Sequence, residues 1–250
     1  MIKQRLQKVL SQTGLGSRRE IERLIVQELI YVNGIVAKLG DCVDNDAVIR
    51  LRGKVVPNPL TKVRHKRVLL YHKPVGEICS TTGDSKHTKT VCDRLPPIKD
   101  GRWIMLGRLD INTSGLLIFA NDGALVHQML HPSFGLEREY AVRVYGQVTK
   151  LMLDNLRTGV MLEDGLAKFK SIRFQGGEGN NSWYTVVLTE GRNREVRRLW
   201  ATQEIVVSRL IRIRYGSIIL PRWLGRGQFT ELTRPEVVAL IKRIVVIQEE

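Results

Sequence analysis

The chain is poor in cysteine and aromatic residues, and it has no long uncharged apolar run. Its three cysteines, Cys42, Cys79 and Cys92, are widely separated, odd in number and grouped with no second cysteine or histidine at ligand spacing. That argues against a disulfide framework or a zinc site and favours a reducing compartment, the cytoplasm. The run Leu116-Leu117-Ile118-Phe119-Ala120 is far too short to cross a bilayer, and the first thirty residues are too charged for a secretory leader. A soluble protein with no membrane partner is therefore expected. No phosphate-binding loop, dinucleotide fingerprint or metal-ligand cluster is present, so no cofactor and no metal are expected. A metal-dependent nuclease would need carboxylates converging on an ion, and the sequence offers no such group. Acidic residues are also scarce: 25 Asp and Glu face 40 Lys and Arg, a net charge of +15. An excess of that size points to a polyanionic partner, because each neutralised phosphate releases counterions.

With 250 residues, the chain can hold one large or two unequal domains. Residues 1–56 have the pattern of a small module. Leu6, Val9 and Leu10 form a short apolar helical stripe broken by Gly14 and Gly16. Ser17-Arg18-Arg19-Glu20 then matches a capping box, followed by Ile21, Leu24 and Ile25 at helical spacing. Arg18, Arg19 and Arg23 place positive charge in an early turn, where it opposes the helix macrodipole. A phosphate backbone would favour them there. Ile30 to Ala37, turning at Asn33-Gly34, predicts a hairpin, and a second strand pair is expected from Val48 to Val56 around Gly53. Two helices, a small sheet and a basic helix start resemble the S4 domain of ribosomal and RNA-modifying proteins. Residues 57–67, with Pro57, Pro59, Lys62, Arg64, Lys66 and Arg67, are expected to be a basic linker.

From residue 68 onward, strand and helix patterns alternate irregularly. Strands are expected at Val68 to Tyr71, Leu116 to Ala120, Tyr140 to Tyr145, Ala167 to Phe174, Trp183 to Thr189 and Val206 to Tyr215. Helices are expected before Pro132, from Thr149 to Arg157, from Asn193 to about Thr202, and from Pro235. This mixture predicts an α+β fold with a mainly antiparallel mixed sheet and flanking helices over 68–250.

The sharpest local feature is Gly107-Arg108-Leu109-Asp110-Ile111-Asn112-Thr113-Ser114-Gly115-Leu116-Leu117. A carboxylate stands beside an arginine on a glycine-bounded loop, ahead of an apolar strand. Taken alone, Asp110 could equally cap a turn. This segment, however, is similar to the signature loop of the ribosomal RNA pseudouridine synthases, the family of small-subunit synthase A and large-subunit synthase B. The resemblance extends through Lys73-Pro74, Thr90-Val91, Asp93-Arg94-Leu95-Pro96, Glu139-Tyr140-Ala141-Val142 and Leu188 to Leu199. It is strongest toward the large-subunit branch at Gly176-Gly177-Glu178-Gly179 and Ser208 to Gly216. Relatives often carry a long basic C-terminal extension, and contacts made by such a tail are not expected here.

The resemblance implies isomerisation of a uridine in 23S rRNA, uridine 2605 by analogy, by a cytoplasmic monomer that needs no cofactor. It implies Asp110 as the catalytic carboxylate, Arg197 as its salt-bridge partner and Tyr140 as the active-site tyrosine. Leu199 would pack under the base, and Arg108 would contact the flipped nucleotide, since a stacked uridine must be extruded to react. Arg192, Arg194, Arg198, Arg212 and Arg214 are candidate phosphate clamps, the last two on one face of a strand. The S4-like module and the charge also fit a non-catalytic RNA-binding ribosome-assembly factor in which Asp110 is structural.

Overall fold

The structure, a computed structural model, describes residues 3–61, 65–80, 89–98, 101–131 and 134–249, with side chains through residue 243. Lys62 and Arg64 of the expected linker lie outside the described residues. The chain packs as two compact units. One comprises Met1–Arg67 with Pro96–Ile104 and Ala120–Gly123, and the other holds the remainder.

In the first unit, β1 (Gln4–Arg5) leads into α1 (Leu6–Leu10) and α2 (Arg18–Val26). Ser17 caps α2 in the expected way: its hydroxyl accepts from Glu20 N–H while Glu20 accepts from Ser17 N–H. The strands β2 (Ile30–Val32), β3 (Ile35–Val36), β4 (Cys42–Val43), β5 (Ile49–Leu51) and β6 (Lys54–Val56) follow. Four of them form a sheet in the order β3-β2-β5-β6, and β1 pairs with β4. Asn33 and Gly34 both take positive φ, 50° and 84°, as the hairpin turn requires. The helical stripe of Leu6, Val9, Leu10, Ile21 and Ile25 closes on Ile30, Val43 and Ile49 to make the core. The start of the expected linker belongs to this unit too. Asn58 Nδ2 donates to the carbonyls of Asp44 (2.8 Å) and Ala47 (3.1 Å), and Leu60 packs against the core. Lys66 lies 3.9 Å from Asp122, and the Arg67 guanidinium covers the Trp103 ring at 5.2 Å.

The second unit is organised by a sheet that draws on β7 (Val68–Lys73), β8 (Ile104–Leu106), β9 (Ser114–Ala120), β10 (Arg138–Tyr145) and β13 (Ser171–Glu178). β14 (Asn181–Leu188), β15 (Val206–Tyr215), β16 (Ile218–Ile219) and β17 (Phe229–Glu231) complete it. Its order is β13-β14-β10-β15-β9-β7-β17, with β16 on β15 and β8 on β9. A separate hairpin, β11 (Val160–Leu162) and β12 (Gly165–Ala167), takes the start of the strand expected from Ala167. The helices are α3 (Gly123–Leu130), α4 (Lys150–Thr158), α5 (Glu195–Ala201) and α6 (Arg234–Glu249). α5 begins later than its sequence pattern suggests because Arg194 takes a left-handed φ of 47° at the cap. Every residue of β9 is buried, which explains its unbroken apolar sequence, since neither face meets water.

The departure from antiparallel pairing positions the site. β9 runs parallel to β15, joined at Ser114–Ile211 and Gly115–Arg212. Gly115 (φ 110°) lies so close to β15 that a Cβ there would overlap the backbone of Arg212. Only glycine meets both demands. Beyond this crossing, β10 pairs Tyr140 with Arg212 on one side and Val186 on the other, and irregular register beside Tyr140 locally re-aims the strand.

Candidate active site

Residues 107–113 run from β8 to β9 without regular structure, and their backbone is fixed from several directions. Lys73, fully buried at the end of β7, donates from Nζ to the carbonyls of Pro74 (2.9 Å), Asp110 (3.1 Å), Ile111 (3.4 Å) and Thr113 (2.9 Å). Gly76 N–H donates to Ile111 O at 2.8 Å, and Arg197 Nη2 to Asn112 O at 2.9 Å. Each carbonyl from Asp110 to Thr113 thus has a donor from another segment. A buried ammonium is costly unless its donors are used, and here they converge on the loop. Burial draws the Lys73 pKa down, with Cys79, Glu77 and Asp110 opposing.

This backbone clamp leaves the Asp110 side chain uncommitted. Among the described residues its carboxylate makes no hydrogen bond or ion pair, and it lines a cavity of about 680 Å³. Tyr140, Arg108, Arg192, Arg194 and Arg212 line the same cavity, so six of the expected site residues meet there. Val196 and Leu210 supply apolar wall.

Several expectations need correction. Arg197 does not form a salt bridge with Asp110. Its Nη1 donates to Val207 O at 2.8 Å and its Nη2 to Asn112 O, so both ends of the guanidinium are committed to backbone. Asp110 still acts on it through space: burial and Arg194 lower the Arg197 pKa, and Asp110 counters them. Leu199 is fully buried and absent from the cavity wall; Val196, one turn earlier on α5, occupies that place. Arg212 is only 2% exposed and its Nε donates to Leu116 O at 2.7 Å, so it stands as a buried wall of the cavity rather than a clamp on the open surface. Arg214 is neutralised by Glu137 at 2.9 Å and Glu139 at 2.5 Å. Arg198 is engaged by both oxygens of Asp164, at 2.9 and 2.8 Å, and Arg192 by Glu190 and Asp164. Arg194 is exposed. Arg18, Arg19 and Arg23 are likewise exposed, on α2 of the first unit, and their side chains form no hydrogen bond or ion pair among the described residues.

Other residues join the site without having been singled out. Arg138 reaches the cavity from β10, its guanidinium 5.1 Å from the Tyr215 ring, whose other cationic neighbour is Arg212 at 5.4 Å. Glu195 is buried in the wall; its carboxylate accepts from Arg192 N–H at 3.0 Å, and burial pushes its pKa up. Cys79 accepts from Leu109 N–H at 3.3 Å. Beneath it, Tyr71 donates to Glu77 at 2.6 Å, and Arg94 lies 2.8 Å from the other Glu77 oxygen. A lysine ending the mainly apolar strand β7 was the visible sign of the clamp.

This fold and site define a class. Residues 67–202 match the family model described as RNA pseudouridylate synthase, and residues 4–49 match the S4 domain. The chain belongs to the RNA pseudouridylate synthase family, with an S4 domain at its N-terminus. Over 231 residues it is 54% identical to ribosomal large subunit pseudouridine synthase B of Haemophilus influenzae, covering 92% of this chain and 64% of that one. It is 53% identical over 234 residues to the protein of the same name from Escherichia coli K12, covering 92% and 79%. A crystal structure of a pseudouridylate synthase superposes with a TM-score of 0.64 at 23% identity, covering 94% of this chain and 99% of the other, and so shares the fold.

Proposed function

We propose that the chain isomerises one uridine of 23S rRNA to pseudouridine, uridine 2605 by similarity to its large-subunit relatives, with Asp110 as the catalytic carboxylate. The observation that carries this reading is a carboxylate without a partner, held by its backbone against an arginine-rich cavity. The reaction breaks the bond from ribose C1′ to N1, turns the uracil, and joins C1′ to C5. The C5 proton leaves and N1 gains one, so neither redox chemistry nor a group donor is required. An ionised carboxylate beside the sugar serves this sequence as nucleophile or as base. Tyr140 would stack against the uracil, Val196 and Leu210 would pack along it, and exposed Arg108 would contact the RNA vacated by the flipped nucleotide. Arg197 would steady the Asp110 loop through its bond to the Asn112 carbonyl. Arg18, Arg19 and Arg23 of the S4 domain would meet phosphates elsewhere on the RNA. The protein would act as a cytoplasmic monomer without a cofactor.

Asp110→Asn tests the reading. Conversion of uridine in unmodified 23S rRNA should disappear while RNA affinity is largely kept, measured by pseudouridine mapping and filter binding. Wild-type turnover by the variant would exclude Asp110 from the chemistry.

A further inference from the structure

A second cavity, of about 580 Å³, borders the same Asp110 loop. The two cavities divide that segment between them. Asp110, Ile111 and Thr113 line the first, Asn112 and Ser114 the second, and Leu210 contributes to both. The second is lined by Arg197, Arg209 and Arg226, together with Ser208, and by no acidic residue among those described.

Three observations indicate an anion here. Arg197 Nε is buried and has no partner, although both of its terminal nitrogens are bonded. Arg209 and Arg226 are exposed and form no ion pair or side-chain hydrogen bond among the described residues, unlike Arg192, Arg198 and Arg214. Arg209 also stands directly opposite Arg143 across the β10–β15 ladder. Like charges so paired destabilise a sheet, and Arg143 donates from its side chain only to the neutral Asn181 amide oxygen among the described residues, at 3.1 Å. Positive charge is concentrated at this cavity, and no acidic residue stands in its described lining.

We propose that this cavity seats a backbone phosphodiester of the RNA strand close to the target nucleotide, gripped by Arg209 and Arg226 with Arg197 Nε behind them. This rests on the reading of the chain as an enzyme acting on RNA. A phosphodiester fits because guanidinium groups bind phosphate oxygens with paired donors. The cavity borders the loop that carries Asp110 and shares Leu210 with the first cavity, so a strand seated in one would be within reach of the other. An occupied seat would also press on Asn112 and Arg197, linking RNA binding to the posture of the loop.

The experiment compares wild-type protein with the Arg209→Gln/Arg226→Gln double variant, using 23S rRNA fragments spanning uridine 2605. Each fragment carries one neutral methylphosphonate at a successive position. At one position near the target, the substitution should weaken wild-type binding about tenfold and leave the double variant unaffected, since the contact is already lost. The salt dependence of binding should fall by about one unit of logarithmic slope in the variant. Thermal stability should stay level or rise, because a like-charge pair has been relieved. Additive losses at every position, or an unchanged salt slope, would overturn the proposal. So would displacement of inorganic phosphate from this cavity with no effect on RNA affinity, which would mark a free-anion site. The catalytic reading is judged separately. If wild-type protein binds with the expected coupling but makes no pseudouridine, the phosphate seat stands and the assignment of activity fails.

Discussion

Replacing Lys73 with Met removes the charge that ties the loop together while preserving most of the side-chain volume. The carbonyls of Asp110 and Ile111 retain other donors, Thr113 N–H at 3.0 Å and Gly76 N–H at 2.8 Å. The loss therefore falls mainly on the carbonyls of Pro74 and Thr113, which Lys73 serves at 2.9 Å each. A buried acceptor deprived of its donor costs about 1–3 kcal/mol. Two such losses, offset in part because an ammonium no longer has to be buried, leave a net destabilisation of about 3 kcal/mol. Against a typical total of about 5–15 kcal/mol, the variant should still fold. Urea denaturation should show the shift in midpoint, and pseudouridine formation in unmodified 23S rRNA should fall more than the stability loss implies. Displacing a reacting group by about 1 Å can cost about a hundredfold in rate. If Lys73→Met folds and turns over at the wild-type rate, the ammonium is not what holds Asp110 in place.

Other perturbations test separate parts of the structure. Gly115→Ala should destabilise by more than about 2 kcal/mol in urea melts, since it meets both a positive φ of 110° and the Arg212 backbone; a stability equal to wild type would show that β9 and β15 can part freely. Glu137 has its carboxyl pKa lowered by hydrogen bonds from Lys170 and then Arg214. Its stabilisation is therefore present above the ordinary carboxylate pKa of 4.5 and is lost as pH falls through the lower folded value. The gap in melting temperature between wild type and Glu137→Gln should be open at pH 7 and closed well below pH 4; a gap that persists in acid would refute the linkage. Substituting Arg18, Arg19 and Arg23 together with Gln should weaken rRNA binding and flatten its salt dependence, with little change in melting temperature; unchanged affinity would remove α2 from the RNA interface.

Elements with local causes were legible in the sequence. The Ser17–Glu20 box, the Asn33-Gly34 turn and the solid apolar run of β9 each encode their conformation within a few residues. The meeting of Asp110, Tyr140 and Arg108 at one cavity was also anticipated, through a family resemblance rather than through spacing. What failed depended on neighbours remote in sequence. Alternation put Arg212 and Arg214 on one face of a strand, but it could not reveal that Leu116 O takes one or that Glu137 and Glu139 take the other. The resemblance placed Leu199 under the base, but its helical spacing with Val196 and Trp200 suited core packing as well, and in the structure Leu199 is core while Val196 lines the cavity. Arg197 was assigned to a carboxylate, whereas two backbone carbonyls hold it. A pattern of residue types carries no record of which main-chain oxygen lies opposite.

The interleaving of the two units affects how the protein can be made and divided. The polypeptide passes between them five times, since residues 96–104 and 120–123 return to the N-terminal unit. During synthesis the apolar centre of that unit, drawn from residues 6–60, can close early, yet the unit is complete only after residue 123 leaves the ribosome. A nick or gene truncation near residue 67 would not yield two finished halves. Transplanting the N-terminal unit onto another enzyme would require carrying pieces of its host along with it.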